Sequence, residues 1–367
     1  MRPQLELGLD TFGDVTGGPD GRPLSQAQVI RDVVAEAELA DSVGVDFIGV
    51  GEHHREDFAI SAPDMVLAAI AARTKRIRLG SAVTVLGSDD PVRVFQRFST
   101  LDAISGGRAE VILGRGSFTE SFPLFGYSLN DYEALFEDKL ALFVELLAHD
   151  RDQSPVTWAG ASGNTRAPLE AQRMFPPTES GSLKTWIGVG GSQESVVRAA
   201  RYRLPLMLAI IGGDPRRFIQ FTDLYRRALA HFEAPSLPIG VHSPGHVADA
   251  DEQAREEMWP AYRVMRDRIG GERGWPPSSR AEFDQEVARG SLYVGSPETV
   301  AQKIAATARA LGIARFDMKY STGLLAHDKM MRSIELYGTQ VMPRVRELMA
   351  TAAGGAVGAS ATAVAGG

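Results

Sequence analysis

Short apolar runs alternate with longer amphipathic stretches along most of the chain. Apolar runs with the length of buried strands occupy residues 5–9, 47–50, 77–86, 109–113, 185–189, 206–210, 237–241 and 315–319. Stretches with apolar residues at helical spacing occupy 25–43, 63–73, 91–104, 131–148, 193–202, 215–232, 297–311 and 328–349. Strands separated by helices indicate a parallel sheet, and eight such units predict a closed (β/α)8 TIM barrel. An open doubly wound sheet is the alternative.

Residues that commonly begin helices support this division. Ser25 to Gln28 and Ser61 to Asp64 have the spacing of capping boxes, and Asp90 and Ser296 each precede a proline. Two stretches interrupt the repeat and are expected to be barrel insertions, at about 151–183 and 247–290. We therefore expect one barrel over 1–350. The tail at 351–367 contains too little apolar bulk to offset its ordering entropy, and we expect it to be disordered.

Composition removes several classes of function. The net charge is −7 and the chain has no block of Lys and Arg, which argues against nucleic acid or anionic membranes as partners. The chain has no cysteine, so disulfides, thiolate nucleophiles and iron–sulfur ligation are excluded. The N-terminus lacks the pattern of a secretion signal, and no apolar stretch is long enough to span a membrane. We expect a soluble, cytoplasmic protein.

In a (β/α)8 barrel the active site is built from residues that follow the strands. After the second strand come Glu52, His53 and His54, and an imidazole there could transfer a proton near neutral pH. A metal site made by these three residues is disfavoured, because consecutive strand residues face opposite sides. We expect His54 to be structural and His53 to be functional. After the third strand, 81–85 offers small and β-branched residues that a flat ring could approach closely.

Two further strand ends are suited to an anion. Residues 114–117 place Arg115 between glycines, where a guanidinium could contact a phosphate or carboxylate, with a surface ion pair as the alternative. At 188–195 a strand ends in glycines and leads into a helix, so that backbone N–H groups at Gly190 and Gly191 converge with the hydroxyls of Ser192 and Ser195. This is not a Rossmann fingerprint, so nicotinamide dinucleotide binding is unsupported.

A similar sequence at 293–299 competes as a phosphate site. Pro297 removes one N–H donor there and Glu298 adds negative charge. We interpret this second motif as an ordinary helix cap.

Several segments together resemble the bacterial luciferase-like monooxygenase family. They are residues 51–54, 71–74, 77–80, 90–93, 101–108 and 114–116, and the likeness extends from residue 5 to about residue 338. The resemblance implies a barrel with flavin at its mouth, His53 as the catalytic histidine, and a flavin ring against the backbone at Ala82 and Val83, often through a cis peptide bond. It also implies that Arg115 holds the flavin phosphate, with Gly191, Ser192 and Ser195 as its cradle.

One position departs from the family pattern. Bacterial luciferases carry a cysteine beside the flavin ring where this chain has Gly114, so light emission is not implied. The family also contains deazaflavin-dependent dehydrogenases and a non-enzymatic flavoprotein.

From the resemblance, the leading hypothesis is a monooxygenase that uses reduced FMN and O2 through a flavin hydroperoxide. Deazaflavin-dependent hydride transfer and flavin binding without turnover remain open. The expected partners are a small organic substrate, a separate flavin reductase and a second copy of the chain, with an internal NADH site as the alternative electron source. We expect the 151–183 insertion to line the substrate site together with the aromatic side chains Phe118, Phe122, Phe125, Trp158 and His242.

Overall fold

The computed structural model describes residues 4–18, 20–116, 118–160 and 166–361, with side chains as far as residue 351. Eight parallel strands form its centre. They are β1 (Glu6–Thr11), β2 (Phe47–Val50), β3 (Arg78–Val85), β4 (Ala109–Gly114), β7 (Lys184–Val189), β8 (Leu206–Ala209), β9 (Ile239–Val247) and β11 (Arg315–Lys319). Their order around the sheet is β1-β2-β3-β4-β7-β8-β9-β11, and pairing of β8 with β9 and of β11 with β1 closes it. The fold is the predicted (β/α)8 barrel.

Helices surround the barrel in the predicted alternation. They are α1 (Gln26–Ser42), α2 (Pro63–Arg73), α3 (Pro91–Ser105), α4 (Ser121–Leu124), α5 (Tyr132–Asp150), α6 (Gln193–Arg201), α7 (Ile219–His231), α8 (Asp251–Glu272), α9 (Arg280–Arg289), α10 (Pro297–Leu311), α11 (His327–Leu336) and α12 (Met342–Ala361). Short 3-10 segments occupy Leu86–Ser88, Leu129–Asp131 and Pro215–Phe218, and a π-helical turn at Tyr337–Val341 joins α11 to α12. Within the described residues, no helix combines the length and apolar character that a membrane span requires.

The two interruptions of the repeat have structure of their own. The first contains an antiparallel pair, β5 (Val156–Trp158) and β6 (Leu169–Gln172), and residues 161–165 lie outside the described part. The second contains α8 and α9 and leads to the short strand β10 (Tyr293–Gly295), which pairs with the last residues of β9. The last helix continues to Ala361, and residues 362–367 lie outside the described part, so the disordered tail stays a prediction.

Four helix starts were indicated by the sequence, and the expected side chain caps the helix at two of them, whereas Ser296 is at the cap of α10 without a side-chain cap bond. Ser25 accepts a hydrogen bond from the N–H of Gln28, and Asp90 accepts from the N–H groups of Val92 and Arg93. The capping box expected at Ser61 is wrong, because α2 begins one residue later, with Ala62 at the cap and Pro63 in the first turn. The proline already fixes the backbone for helix entry, so a side-chain cap is dispensable.

Candidate active site

A cavity of about 440 Å³ opens at the carboxyl ends of the barrel strands. This is the face on which barrel enzymes build their active sites, and the volume lies in the range of small-molecule sites. Ten of the thirteen positions expected from the sequence to form the site line this cavity, namely His53, Ala82, Val83, Arg115, Phe118, Gly190, Gly191, Ser192, Ser195 and His242. The barrel thus brings the predicted cofactor residues together on one surface.

One end of the cavity has the features of an anion cradle. Ser192 caps the start of α6, where its side chain accepts a hydrogen bond from the N–H of Ser195. A Cβ added at Gly190 or Gly191 would meet no atom within 4 Å, and Gly191 has a φ of +134°, which side-chain-bearing residues rarely adopt. The glycines therefore leave open space in front of the first turn of α6, where the helix dipole and free N–H groups attract an anion.

Arg115 reaches the same end of the cavity from β4. Its guanidinium lies over the Tyr132 ring, 5.5 Å from the centroid, and contacts the Glu133 carboxylate. Arg198, which the sequence analysis did not single out, donates to the same carboxylate at 3.1 Å and to the Ser195 hydroxyl at 3.3 Å. Arg115 thus lines the cradle, and Arg198 beside it shares its exposed carboxylate partner, which a bound phosphate could replace. Ser117, also part of the sequence motif, lies outside the described residues.

The wall beside this cradle is formed by β3 and β4. The peptide bond between Ala82 and Val83 is cis, as the family resemblance implied, and the pairing of β3 with β4 shifts register there. The Val83 side chain fills the space in front of two glycines. A Cβ added at Gly114 would lie 2.6 Å from this side chain, and a Cβ added at Gly188 would lie 2.9 Å from it. The space that a glycine leaves at position 114 is therefore taken up by the side chain of Val83. The result is a smooth, apolar surface suited to a flat ring.

His53 lies in a cluster of aromatic rings at the end of β2. Its ring centroid is 4.4 Å from that of Phe58, 4.9 Å from Phe12 and 5.2 Å from Phe118. Burial lowers the pKa of His53 to about 4, so the imidazole is neutral at pH 7. A neutral imidazole offers one donor and one acceptor nitrogen to a bound molecule.

This lowered pKa predicts how acid affects stability. The unfolded chain takes up a proton on His53 near pH 6.5, whereas the folded chain resists it until about pH 4. The contribution to stability is therefore complete above about pH 6.5 and is lost as the pH falls toward 4, by up to about 3 kcal/mol. We expect the free energy of unfolding of His53→Gln, measured with urea from pH 7 to 4, to decline by less than that of the wild type. The exposed His231→Gln should decline as the wild type does, and equal slopes for all three proteins would refute the prediction.

His54 also lines the cavity and pairs with Glu52, so the structural role expected of it stays a prediction. Its Nε2 lies 3.0 Å from one oxygen of Glu52, and the other oxygen of Glu52 accepts the N–H of Val85 at 2.9 Å. These contacts tie the end of β2 to the end of β3 and hold the loop that carries His53. No group of three or more histidine, aspartate or glutamate side chains among the described residues could hold a metal ion.

Three of the aromatic residues expected to line a substrate site lie outside this cavity. Phe122 is fully buried and packs against the rings of Tyr127 and Tyr132, outside the cavity. Trp158 is in β5, which contacts helix α5, and its side chain packs against the main core. Phe125 also lies away from the main cavity, with about half of its surface exposed.

The side of the cavity opposite the cradle contains polar residues that the sequence analysis missed. Asp10, at the end of β1, is 1% exposed, and its Oδ2 lies 2.6 Å from Nδ1 of His242 on β9. Asp317 on β11 also lines this side of the cavity, and burial raises its pKa to about 7 in spite of its contacts with Arg315. An acidic residue near the end of an apolar strand was the available signal for Asp10. Its partner could not be inferred, since 232 positions separate the two residues.

The N–H of Ser296, at the start of α10, is bonded to a carboxylate of the same chain. The carboxylate of Asp251 accepts the N–H of Ser296 at 2.6 Å and the hydroxyl of Thr299 at 3.0 Å. A carboxylate of α8 therefore stands where a phosphate would bind, in agreement with the interpretation of this motif as a cap.

Comparisons with known proteins identify the family of this chain. The model of the family described as luciferase-like monooxygenase matches residues 12–315. The 4-hydroxyprotoasukamycin monooxygenase of Streptomyces nodosus subsp. asukaensis is 28% identical over 324 residues, which cover 84% of this chain and 85% of that protein.

Two solved structures share the fold at lower identity. The oxygenating constituent of 3,6-diketocamphane monooxygenase from Pseudomonas putida, solved with FMN, has a TM-score of 0.72 at 19% identity and covers 93% of this chain and 99% of its own. The coenzyme F420-dependent tetrahydromethanopterin reductase of Methanopyrus kandleri has a TM-score of 0.68 at 16% identity, with coverage of 93% and 99%. With the family model matching most of its length, this chain belongs to the luciferase-like monooxygenase family.

Proposed function

We propose that this chain is an FMN-dependent monooxygenase that uses reduced FMN and O2 to oxidise a small organic substrate. The observation that carries the proposal is a single cavity with an anion cradle at one end and a smooth apolar wall beside it. FMN has the matching parts, a phosphate and a flat ring. The monooxygenase relatives and the FMN-containing structural neighbour support the same assignment.

The residues of the chain fit this cofactor in a specific way. Arg115, Ser192 and the N–H groups at Gly190 and Gly191 would hold the phosphate, and the ring would lie against Ala82 and Val83. Bound reduced FMN supplies the electrons that activate O2, and the cofactor carries that chemistry. The protein positions the substrate and excludes water, and the aromatic cluster around His53 serves the second purpose. His53 transfers a proton at one of its ring nitrogens.

We propose that the electrons come from a separate flavin reductase. The turn between β7 and α6 lacks the glycine spacing of a nicotinamide dinucleotide site. Addition of NADH alone to the FMN complex in the absence of O2 should leave the flavin oxidised. Bleaching of the flavin by NADH would instead show an internal site.

Titration of the cofactor-free protein with FMN, reduced FMN and coenzyme F420 tests the proposal directly. We expect FMN in one or both redox states to bind, and the reduced complex to consume O2 and form product with a substrate. Binding of coenzyme F420 alone, followed by anaerobic hydride transfer, would move the assignment to a dehydrogenase. Flavin binding without turnover over a broad substrate screen would indicate a carrier protein.

Replacing Arg115 is expected to weaken the binding of FMN through the loss of a contact with its phosphate. Arg115→Ala removes a charge-assisted contact of about 1.5–3 kcal/mol, so the dissociation constant for FMN should rise about 10- to 100-fold. Riboflavin, which lacks the phosphate, should bind the variant and the wild type alike. Fluorescence titration with both flavins measures this difference.

Arg201→Ala is the matched control, because Arg201 ends α6, is half exposed and pairs with Glu137 away from the cavity. Equal losses for FMN and riboflavin would contradict the phosphate assignment.

A further inference from the structure

The Asp10–His242 pair lies on the wall of the barrel that faces the expected flavin site. Eight strands close the barrel in the order β1-β2-β3-β4-β7-β8-β9-β11, so β9 is the fourth strand from β3 in either direction. His242 on β9 is therefore opposite Ala82 and Val83 on β3. A molecule between these walls would have the flavin on one side and His242 on the other.

The geometry of the pair leaves one nitrogen available to a ligand. An ionised carboxylate only accepts hydrogen bonds, so the 2.6 Å contact with Asp10 places the imidazole proton on Nδ1. Nε2 is then an acceptor, and no described residue bonds to it, while His242 lines the cavity. The other carboxylate oxygen of Asp10, Oδ1, is buried and also has no partner in the described part of the chain. His53 differs, because among the described residues no carboxylate is hydrogen-bonded to its ring.

The surroundings of His242 select the kind of molecule that fits. The Phe12 ring is nearly parallel to the imidazole, with centroids 5.7 Å apart and an angle of 13°. The adjoining lining is apolar, from Ile112, Met207 and Ala209. Arg115, at the cradle end, is the one lysine or arginine among the described lining residues. A planar, uncharged molecule fits this wall, whereas a carboxylate would meet Asp10 as a like charge.

We propose that His242, oriented by Asp10, is a catalytic base that removes the proton of an acidic hydroxyl group, a phenol or an enol, on a planar substrate. The inference rests on the proposed monooxygenase function. The O–H bond breaks, its electron pair stays on the oxygen, and the proton binds Nε2. Asp10 stabilises the resulting imidazolium, as a carboxylate does in other Asp–His pairs. The anion has a more electron-rich carbon skeleton, to which an oxygen atom is more readily transferred. The imidazolium returns the proton when the product forms.

The probe for this step is 4-nitrophenol, whose ionised form is yellow. We expect the FMN-loaded wild type, at a pH where free 4-nitrophenol is mostly protonated, to raise the ratio of phenolate to phenol about tenfold over solution. Difference absorbance against the FMN–protein complex measures that ratio. His242→Gln should abolish the increase, and the isosteric Asp10→Asn should reduce it. 4-Nitroanisole, which has no proton to give, should bind all three proteins alike, and 4-nitrobenzoate should bind weakly.

Each outcome separates this inference from the proposed function. If the wild type does not bind FMN, the proposed function fails. If FMN binds and bound 4-nitrophenol stays protonated, or if His242→Gln still ionises it, the inference fails alone. A variant that has lost FMN affinity shows that the pair holds the cofactor, which also overturns the inference. Retention of 4-nitroanisole binding by Asp10→Asn serves as the check that the cavity remains folded.

Discussion

Replacing His53 with alanine is expected to lower coupled turnover, the product formed per flavin oxidised, about 100-fold or more while FMN affinity stays the same. His53 lines the cavity between Phe12, Phe58 and Phe118, and the contacts expected to hold the flavin phosphate lie elsewhere, at Arg115 and Ser192. The loss should therefore appear in chemistry and not in cofactor binding. To measure this loss, the reduced-FMN complex is mixed with oxygenated buffer that contains a substrate of the enzyme. Product and hydrogen peroxide are then counted per flavin oxidised.

Two controls make this result specific. The exposed His231→Ala should leave the product yield at the wild-type level. FMN titration of His53→Ala shows whether removing a ring from the aromatic cluster has disturbed the cavity. An unchanged yield in His53→Ala would end the assignment of His53 as a proton-transfer group. A yield that falls together with FMN affinity would indicate a packing role for the ring.

The barrel was predictable because its signal is periodic and local. The apolar strand pattern located all eight barrel strands, since buried parallel strands have near-continuous apolar runs. The extra elements were harder to predict. Helices α8 and α9 are highly charged and half exposed, so they lack a wide apolar face. The extension of β9 to Val247 depends on pairing with β10, a contact across 48 residues that no local pattern records.

The two ends of the cavity also differ in how far they can be predicted from the sequence. The cradle end is made by short contiguous motifs around Arg115 and Ser192. The sequence placed both motifs at strand ends and the structure brings them to one cavity, while their role in phosphate binding stays a prediction. The opposite wall is made by pairs such as Asp10 with His242, which only closure of the barrel brings together. Aromatic side chains were the least predictable, because tertiary packing decides whether a ring such as Phe122 faces the core or the cavity.

A network of buried charges lies inside the barrel, next to the part of the cavity that Asp317 lines, and joins β4 to β11. The guanidinium of Arg315 is fully buried, donates to Glu110 at 2.6 Å and to both oxygens of Asp317 at 2.9 Å, and lies 3.4 Å from the centre of the Phe47 ring. Burial alone would raise the pKa of Glu110, but the positive charges of Arg315 and two neighbours bring it down to about 2. Glu110 is therefore ionised at neutral pH and depends on these charges.

Removal of Arg315 is expected to lower the free energy of unfolding by about 3–5 kcal/mol, because Glu110 and Asp317 would remain buried without their main partner. Urea unfolding of Arg315→Met at pH 7 measures the loss. Arg344→Met, which removes a half-exposed arginine that pairs with glutamates on the surface, should cost less than about 1 kcal/mol. If the loss arises from uncompensated charge, the triple variant Arg315→Met, Glu110→Gln, Asp317→Asn should recover part of it. A triple variant less stable than Arg315→Met would instead show that the carboxylates stabilise the barrel through other partners, such as the indole N–H of Trp186, which donates to Glu110 at 2.9 Å.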